Sequence, residues 1–396
     1  MGISFLLSMV ETLILGNQMS PGDFGDFALL KNFILIGSTF AIFGMDQAAV
    51  RNNIDSEPAI SISIVNIVSF ILSILFSLSM KVLFSLTAFN TIYLSGIIFC
   101  GSNLIYIAGV YRLKNDFLKA QFIHNSWKIL LFIVVSSAFI LGASIQINFI
   151  YKALFFSMLL VILLHYFLEF FIVDKVRIKD NDIQLIAIRD GMVLWMINVL
   201  GLVFAGMDRF IIPTITSKSV LGTYYAISFI YITAFTMIGS AVGYVIFPYL
   251  SKNDSIKWKN PTKFILLILL LISVGLFFLG HSVTSILFDG KYDEALIVPI
   301  TTPILIMGII QCFHTIAHFY IYAKSPKKFL IRYIVFLFLF CSCYFFSFYI
   351  MDNFLQYSLQ SIVNHITIIW IIKIISALFI VFYVSKNSFL TSKYAK

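Results

Sequence analysis

Long apolar runs alternate along the chain with short polar stretches, and the alternation repeats twelve times. A hydrocarbon core of about 30 Å takes about 20 helical residues to cross, so each run is long enough for one transmembrane helix. The pattern predicts helices at 2–18, 24–46, 60–82, 89–111, 120–141, 148–173, 187–213, 221–248, 262–282, 296–322, 329–351 and 361–385. Membrane barrels alternate apolar and polar residues with a period of two, and these runs do not. The expected fold is an all-α polytopic membrane protein.

Composition fixes the solvent. Of 396 residues, 60% are hydrophobic and 11% charged, and the mean hydropathy of +0.99 excludes a water-soluble domain. The four cysteines all fall inside apolar runs and read as small packing residues. A net charge of +9 raises nucleic acid as a partner, but topology accounts for it first. With the N-terminus inside, the outer loops hold only Lys81, Arg209, Lys218 and Lys291, while the inner stretches around Arg51, Arg112, Lys114, Lys119, Lys175–Lys179, Lys252–Lys263, Lys324–Arg332 and Lys386–Lys396 hold most of the rest. The positive-inside rule therefore expects both termini in the cytoplasm, with no nucleic-acid partner. The first helix has neither a charged n-region nor a cleavage site, which marks a retained span; a few upstream residues would complete it.

An offset of 197 residues lays ETLILGNQMSPGDFGDFALL, from Glu11, over DRFIIPTITSKSVLGTYYAI, from Asp208, without a gap. Glu11 meets Asp208, Ser20 meets Ser217 and Gly25 meets Gly222. Identity is low, yet helix one falls on helix seven and helix two on helix eight. Six helices return the chain to the same side, so the repeats are expected to be parallel, related by an axis along the membrane normal. Two six-helix lobes follow, 1–178 and 179–396.

The motifs SPGDFGDFALLKNF and FGMDQAAVRNN in the first lobe, with GMDRFIIPTITSKSVLGTYYAISFIY, VIFPYLSK and ILFDGKYDEALIVPI in the second, carry a resemblance in their joint order and spacing. The chain resembles the polysaccharide repeat-unit (O-antigen) flippases of the superfamily that includes the multidrug and toxin extrusion transporters and the lipid II flippase. It departs from many members in having twelve helices where they have fourteen, and in lacking the usual basic leader. The resemblance implies a transporter without catalytic chemistry or cofactor, in a bacterial inner membrane. Its cargo would be an undecaprenyl-pyrophosphate-type lipid-linked oligosaccharide for O-antigen, lipopolysaccharide or capsule assembly, moved by alternating access. A polymerase and a chain-length regulator of the same pathway are the implied protein partners, and membrane lipid surrounds it.

Charges deep in apolar helices cost about 2.5–3.5 kcal/mol each on insertion scales and so mark candidate sites. Lys373 lies near the middle of NHITIIWIIKIISALFIVFYV, roughly 18 Å from either end. Glu11 and Lys31 lie on consecutive antiparallel helices, each roughly 10 Å below the outer turn, and are expected to pair. Asp208, beside Arg209, takes the place of Glu11 in the other lobe, so the two acids are expected to face one another. Lys128 and Lys152 are weaker candidates, Lys152 being within snorkelling reach of the outer surface. Cavity lining for the cargo is the functional reading of Lys373, Lys31, Glu11, Asp208, Arg209 and Lys128; structural pairing is the plain one. His314 and His318, four apart on one helix face, suit proton or ion coupling alongside Glu11 and Asp208, or serve as polar contacts between helices. No third ligand accompanies them, so no metal site is expected.

Two other classes compete. An ion-coupled multidrug antiporter would share the fold, but a cleft for cationic drugs favours carboxylates, and here buried lysines outnumber buried acids. A membrane polymerase or glycosyltransferase needs catalytic groups on a sizeable loop, and the outer loops are short.

Overall fold

The computed structural model describes residues 2–46, 60–114, 116–170, 181–252, 259–292, 294–325, 327–354 and 358–394, which form thirteen α-helices and no strand among the described residues. In chain order these are α1 (Gly2–Gln18), α2 (Pro21–Ala41), α3 (Ile62–Phe84), α4 (Ala88–Leu113), α5 (Phe117–Ile140), α6 (Ile147–Phe170), α7 (Asn181–Ala205), α8 (Met207–Ile215), α9 (Lys218–Lys252), α10 (Lys259–Leu287), α11 (Glu294–Lys324), α12 (Lys327–Phe354) and α13 (Leu359–Tyr394). Ten are long and apolar enough to cross a membrane, and the bent pair α7–α8 adds an eleventh. The first helix, α1, has 17 residues, slightly under a full span. With α7–α8 counted once, the helices follow the order the hydropathy predicts.

Helix seven corrects the sequence reading. The hydropathy predicts one unbroken helix over 187–213, but the helix stops at Ala205 and restarts at Met207 with a 43° bend. The cause is Gly206. A Cβ there would collide with the Asn32 amide of α2, so the chain passes where only glycine fits. The Asn32 amide donates to the Gly206 carbonyl at 2.9 Å, satisfying a backbone group at the break.

Turn chemistry sets the other ends. Ser20 caps α2, its hydroxyl accepting from the Asp23 N–H at 3.1 Å, with Pro21 in the first turn. Thr87 and Asp116 cap α4 and α5 in the same way. The second helix ends earlier than expected because Phe43 and Gly44, both at positive φ, turn the chain. A side chain at Gly44 would meet the Gly191 carbonyl at 2.6 Å, and Trp195 donates to Thr39 O and Phe40 O, so α7 closes the end of α2.

Two compact units arise, Met1–Phe210 with Tyr333–Cys341, and Ile211–Arg332 with Ser342–Lys396. In the first, α4 packs against α2, α3, α5 and α6, and α1 packs on α5. The inward face of α3 is a stripe of small residues, Ser69, Ser73 and Ser77, all buried, which lets its neighbours approach closely. Its other face presents Ile67, Phe70, Ile71 and Leu75 outward, as hydrocarbon contact requires. In the second unit, α11 packs against α9, α10 and α13. Of the cysteines, Cys100, Cys312 and Cys341 are buried, whereas Cys343 is exposed and fills no core space. The lobe boundary expected at 178/179, and the topology residues Arg51, Lys175, Arg177, Lys179, Lys257 and Lys396, lie outside the described residues.

Candidate functional site

The polar groups predicted at membrane depth gather in two clusters, one in each unit. In the first, Lys31 on α2 reaches toward α1. Its ammonium donates to the Thr12 hydroxyl at 2.7 Å and lies 3.9 Å from the Glu11 carboxylate. Glu11 is 1% exposed and Lys31 24%, so the acid is sequestered while the lysine keeps an open side. The Lys31 ammonium also sits 4.7 Å from the Phe27 ring centre, one turn away, where the negative ring face attracts it.

The two Cα atoms are not level, because α2 begins at Pro21 and puts Lys31 three residues deeper than a start at 24 implies. Helical side chains lean toward their own N-terminus. On antiparallel helices Glu11 therefore leans away from the α1–α2 turn and Lys31 toward it, and the stems close the offset.

Lys128 on α5 joins this cluster, within electrostatic range of both Glu11 and Lys31. Its ammonium donates to Asn125 Oδ1 at 3.0 Å, and the Asn125 amide donates in turn to the Gln121 carbonyl. Three helices thus bring two cations to one carboxylate. The group holds two basic side chains to one acidic one.

Asp208, 6% exposed, and Arg209 stand in the first turn of α8. The Gly206 carbonyl just before them accepts from Asn32, the residue after Lys31, so α2 is fastened to the break that carries this pair. Glu11 and Asp208, expected in different lobes, both belong to the first compact unit. Lys152 is exposed, with its ammonium 5.2 Å from the Phe89 ring centre at the same end of the unit.

The second cluster joins α13 to α11. Lys373 is 2% exposed, and its ammonium lies 4.7 Å from the ring centre of Trp370, one turn before it. Trp370 meets His314 edge to face at 6.1 Å, and His314 stacks on His318 with ring centres 6.0 Å apart. Lys373 is within electrostatic range of both imidazoles. The predicted lysine and the predicted histidine pair thus form one group, centred on an indole.

Thr12, Asn125 and Trp370 were not singled out in the sequence. Asn125 and Trp370 each lie three residues before a flagged lysine, the spacing at which helical neighbours meet, and that signal could have found them. Among the described residues, no group of three or more His, Cys, Asp or Glu side chains forms a metal-binding arrangement.

The sequence profile of a family described as "Polysaccharide biosynthesis protein" matches residues 1–254. No curated protein matches the chain. Among solved structures, the chain is similar to an inward-facing multidrug resistance MATE family transporter of the MOP superfamily. The two share 13% identity over 97% of this chain and 96% of that one, with a TM-score of 0.60. At that identity the likeness establishes the fold.

Proposed function

The chain belongs to the polysaccharide biosynthesis protein family, and from that premise we propose that it is a flippase carrying a polyprenyl-pyrophosphate-linked oligosaccharide repeat unit across the bacterial inner membrane by alternating access. The product would feed O-antigen or capsular polysaccharide assembly, with a polymerase and a chain-length regulator as downstream partners. Both termini would face the cytoplasm.

The observation that carries this reading is the excess of cations in the first cluster, Lys31 and Lys128 against Glu11. In a low-dielectric setting an uncompensated positive charge attracts an anion strongly. The cargo's pyrophosphate is such an anion, and ammonium groups bind phosphates as point charges. Lys373, buried against Trp370, would offer a second cation in the other unit. Glu11 and Asp208, with His314 and His318, are the groups through which proton or ion coupling would run.

A multidrug antiporter is the alternative on this fold, and the buried acids Glu11 and Asp208 are what favour it. The lysine excess argues against it, since a cationic drug gains nothing from two ammonium groups.

Deletion of the gene tests the reading. A flippase deletion accumulates the lipid-linked repeat unit in the cytoplasmic leaflet and loses polymer, whereas an antiporter deletion raises drug sensitivity and leaves the glycan intact.

A further inference from the structure

At the end of the first unit where α3 begins and α4 and α6 end, there is a cavity of about 170 Å³. Its walls divide by chemistry. Lys114, Ser61, Tyr111, His165 and Tyr166 supply polar and cationic groups, while Ile107 and Val110 supply an apolar wall. The Tyr106 hydroxyl donates to the Ile60 carbonyl and, with Ile42, Met45 and Val65, packs a buried cluster beside the cavity.

Position and charge decide what such a cavity takes. The helix ends that frame it are those the positive-inside rule sets at the cytoplasmic surface, the depth at which phosphate headgroups lie. Arg112 adds a cation in the last turn of α4, and the Lys119 ammonium sits 5.8 Å from the Tyr111 ring centre. The acid nearest in sequence, Asp116, is paired with Lys119 at 3.1 Å and offsets that cation, and Asp46 lies with the Arg112 guanidinium beside Gly109, so Lys114 is the cation that lines the cavity. The backbone is compatible with an anion. The Val110 and Tyr111 carbonyls at the end of α4 accept from Lys114 N and Asp116 N, and the first turn of α3 holds no acidic residue.

Apolar surface continues outward. Leu163, Leu164 and Phe167 on α6 and Ile67 on α3 are exposed, so a molecule seated by its head has hydrocarbon contact for a tail. We propose that this cavity binds the phosphate headgroup of an anionic phospholipid from the surrounding bilayer. Lys114 and the tyrosine and serine hydroxyls hold the phosphate, and Ile107 and Val110 contact the glycerol and the upper acyl carbons.

The test uses the full chain purified in detergent, its thermal midpoint read while dioctanoyl phosphatidylglycerol, dioctanoyl phosphatidylcholine or inorganic phosphate is titrated. Phosphatidylglycerol should raise the midpoint saturably, and the other two should not at equal concentration. Lys114→Gln, at an exposed position, should keep the wild-type midpoint in detergent alone and weaken the apparent phosphatidylglycerol affinity about tenfold. Val110→Phe, which fills the cavity, should abolish the saturable shift. If that variant loses its midpoint in detergent alone, Lys114→Gln decides by itself. Equal shifts from the two lipids, an unchanged affinity in Lys114→Gln, or a phosphate-only shift matching that of the lipid would each overturn the assignment. None of these readouts depends on glycan transport.

Discussion

The Lys31 ammonium on α2 stands 3.9 Å from the Glu11 carboxylate on α1, and the acid is sealed while the lysine is not. The pair is therefore asymmetric. Removing Lys31 takes from the buried Glu11 the ammonium that lies within 4 Å of it and leaves it only the electrostatic reach of Lys128; losing one member of a buried pair costs up to about 3–5 kcal/mol. Removing the Glu11 charge leaves a lysine that keeps its Thr12 bond and its open side. Lys31→Met should lower the thermal midpoint and membrane abundance more than Glu11→Gln does. The double variant should recover part of the loss, with a coupling of about 0.5–3 kcal/mol. Strictly additive midpoints would show that the two side chains do not interact.

Lys128 supplies the surplus charge of the first cluster. Lys128→Met leaves the Glu11–Lys31 pair intact and should keep protein abundance while glycan assembly falls about tenfold or more. Lys128→Arg retains a cation with a different shape and should keep part of the activity. Asn125→Ala loosens Lys128 without removing it and should have a smaller effect than Lys128→Met. Polymer yield at matched protein level orders the three, and a Met variant as active as wild type would dissociate Lys128 from transport.

The break between α7 and α8 depends on Gly206. Gly206→Ala drives a methyl group into the Asn32 amide and should destabilise the first unit by about 1–3 kcal/mol. Asn32→Ala removes the obstacle and also the bond to the Gly206 carbonyl. The double variant should therefore lose less than the sum of the single losses. Thermal midpoints of the three variants check this, and a neutral Gly206→Ala would show that the chain passes less tightly than the distances indicate.

The helices are legible from run length, and the Glu11–Lys31 pairing from rough distance to the shared turn, although the later expected start of α2 hides a three-residue offset that the leaning side chains close. The break at Gly206 is not legible. A single glycine in an apolar run is compatible with a continuous helix, and the group that forbids a side chain there, Asn32, lies 174 residues earlier. Lys128 stands out weakly in the sequence for a similar reason. Depth along α5 was readable, but the face it turns toward α1 is set by tertiary packing. The union of Lys373 with the histidine pair follows from α11 packing on α13, which no local pattern announces.

Lys373 tests the second cluster. Lys373→Met keeps the length of the stem and removes a charge whose insertion costs about 2.5–3.5 kcal/mol. The variant should reach the membrane at wild-type abundance or above it while glycan assembly drops, and Lys373→Arg should restore part of the function. Normal glycan from the Met variant at normal abundance would make Lys373 a packing residue held by Trp370.

The most direct test of the flippase reading is translocation by the purified chain in vesicles. Wild-type protein would be reconstituted with a polyprenyl-pyrophosphate oligosaccharide, and a membrane-impermeant glycosidase would report how much sugar reaches the outer leaflet. The account predicts that sugar confined to the inner leaflet becomes accessible in wild-type vesicles, and that Lys31→Met with Lys128→Met returns the rate to that of protein-free vesicles. Wild-type vesicles indistinguishable from protein-free ones, yet exchanging a cationic dye for protons, would contradict it and assign the fold to drug export.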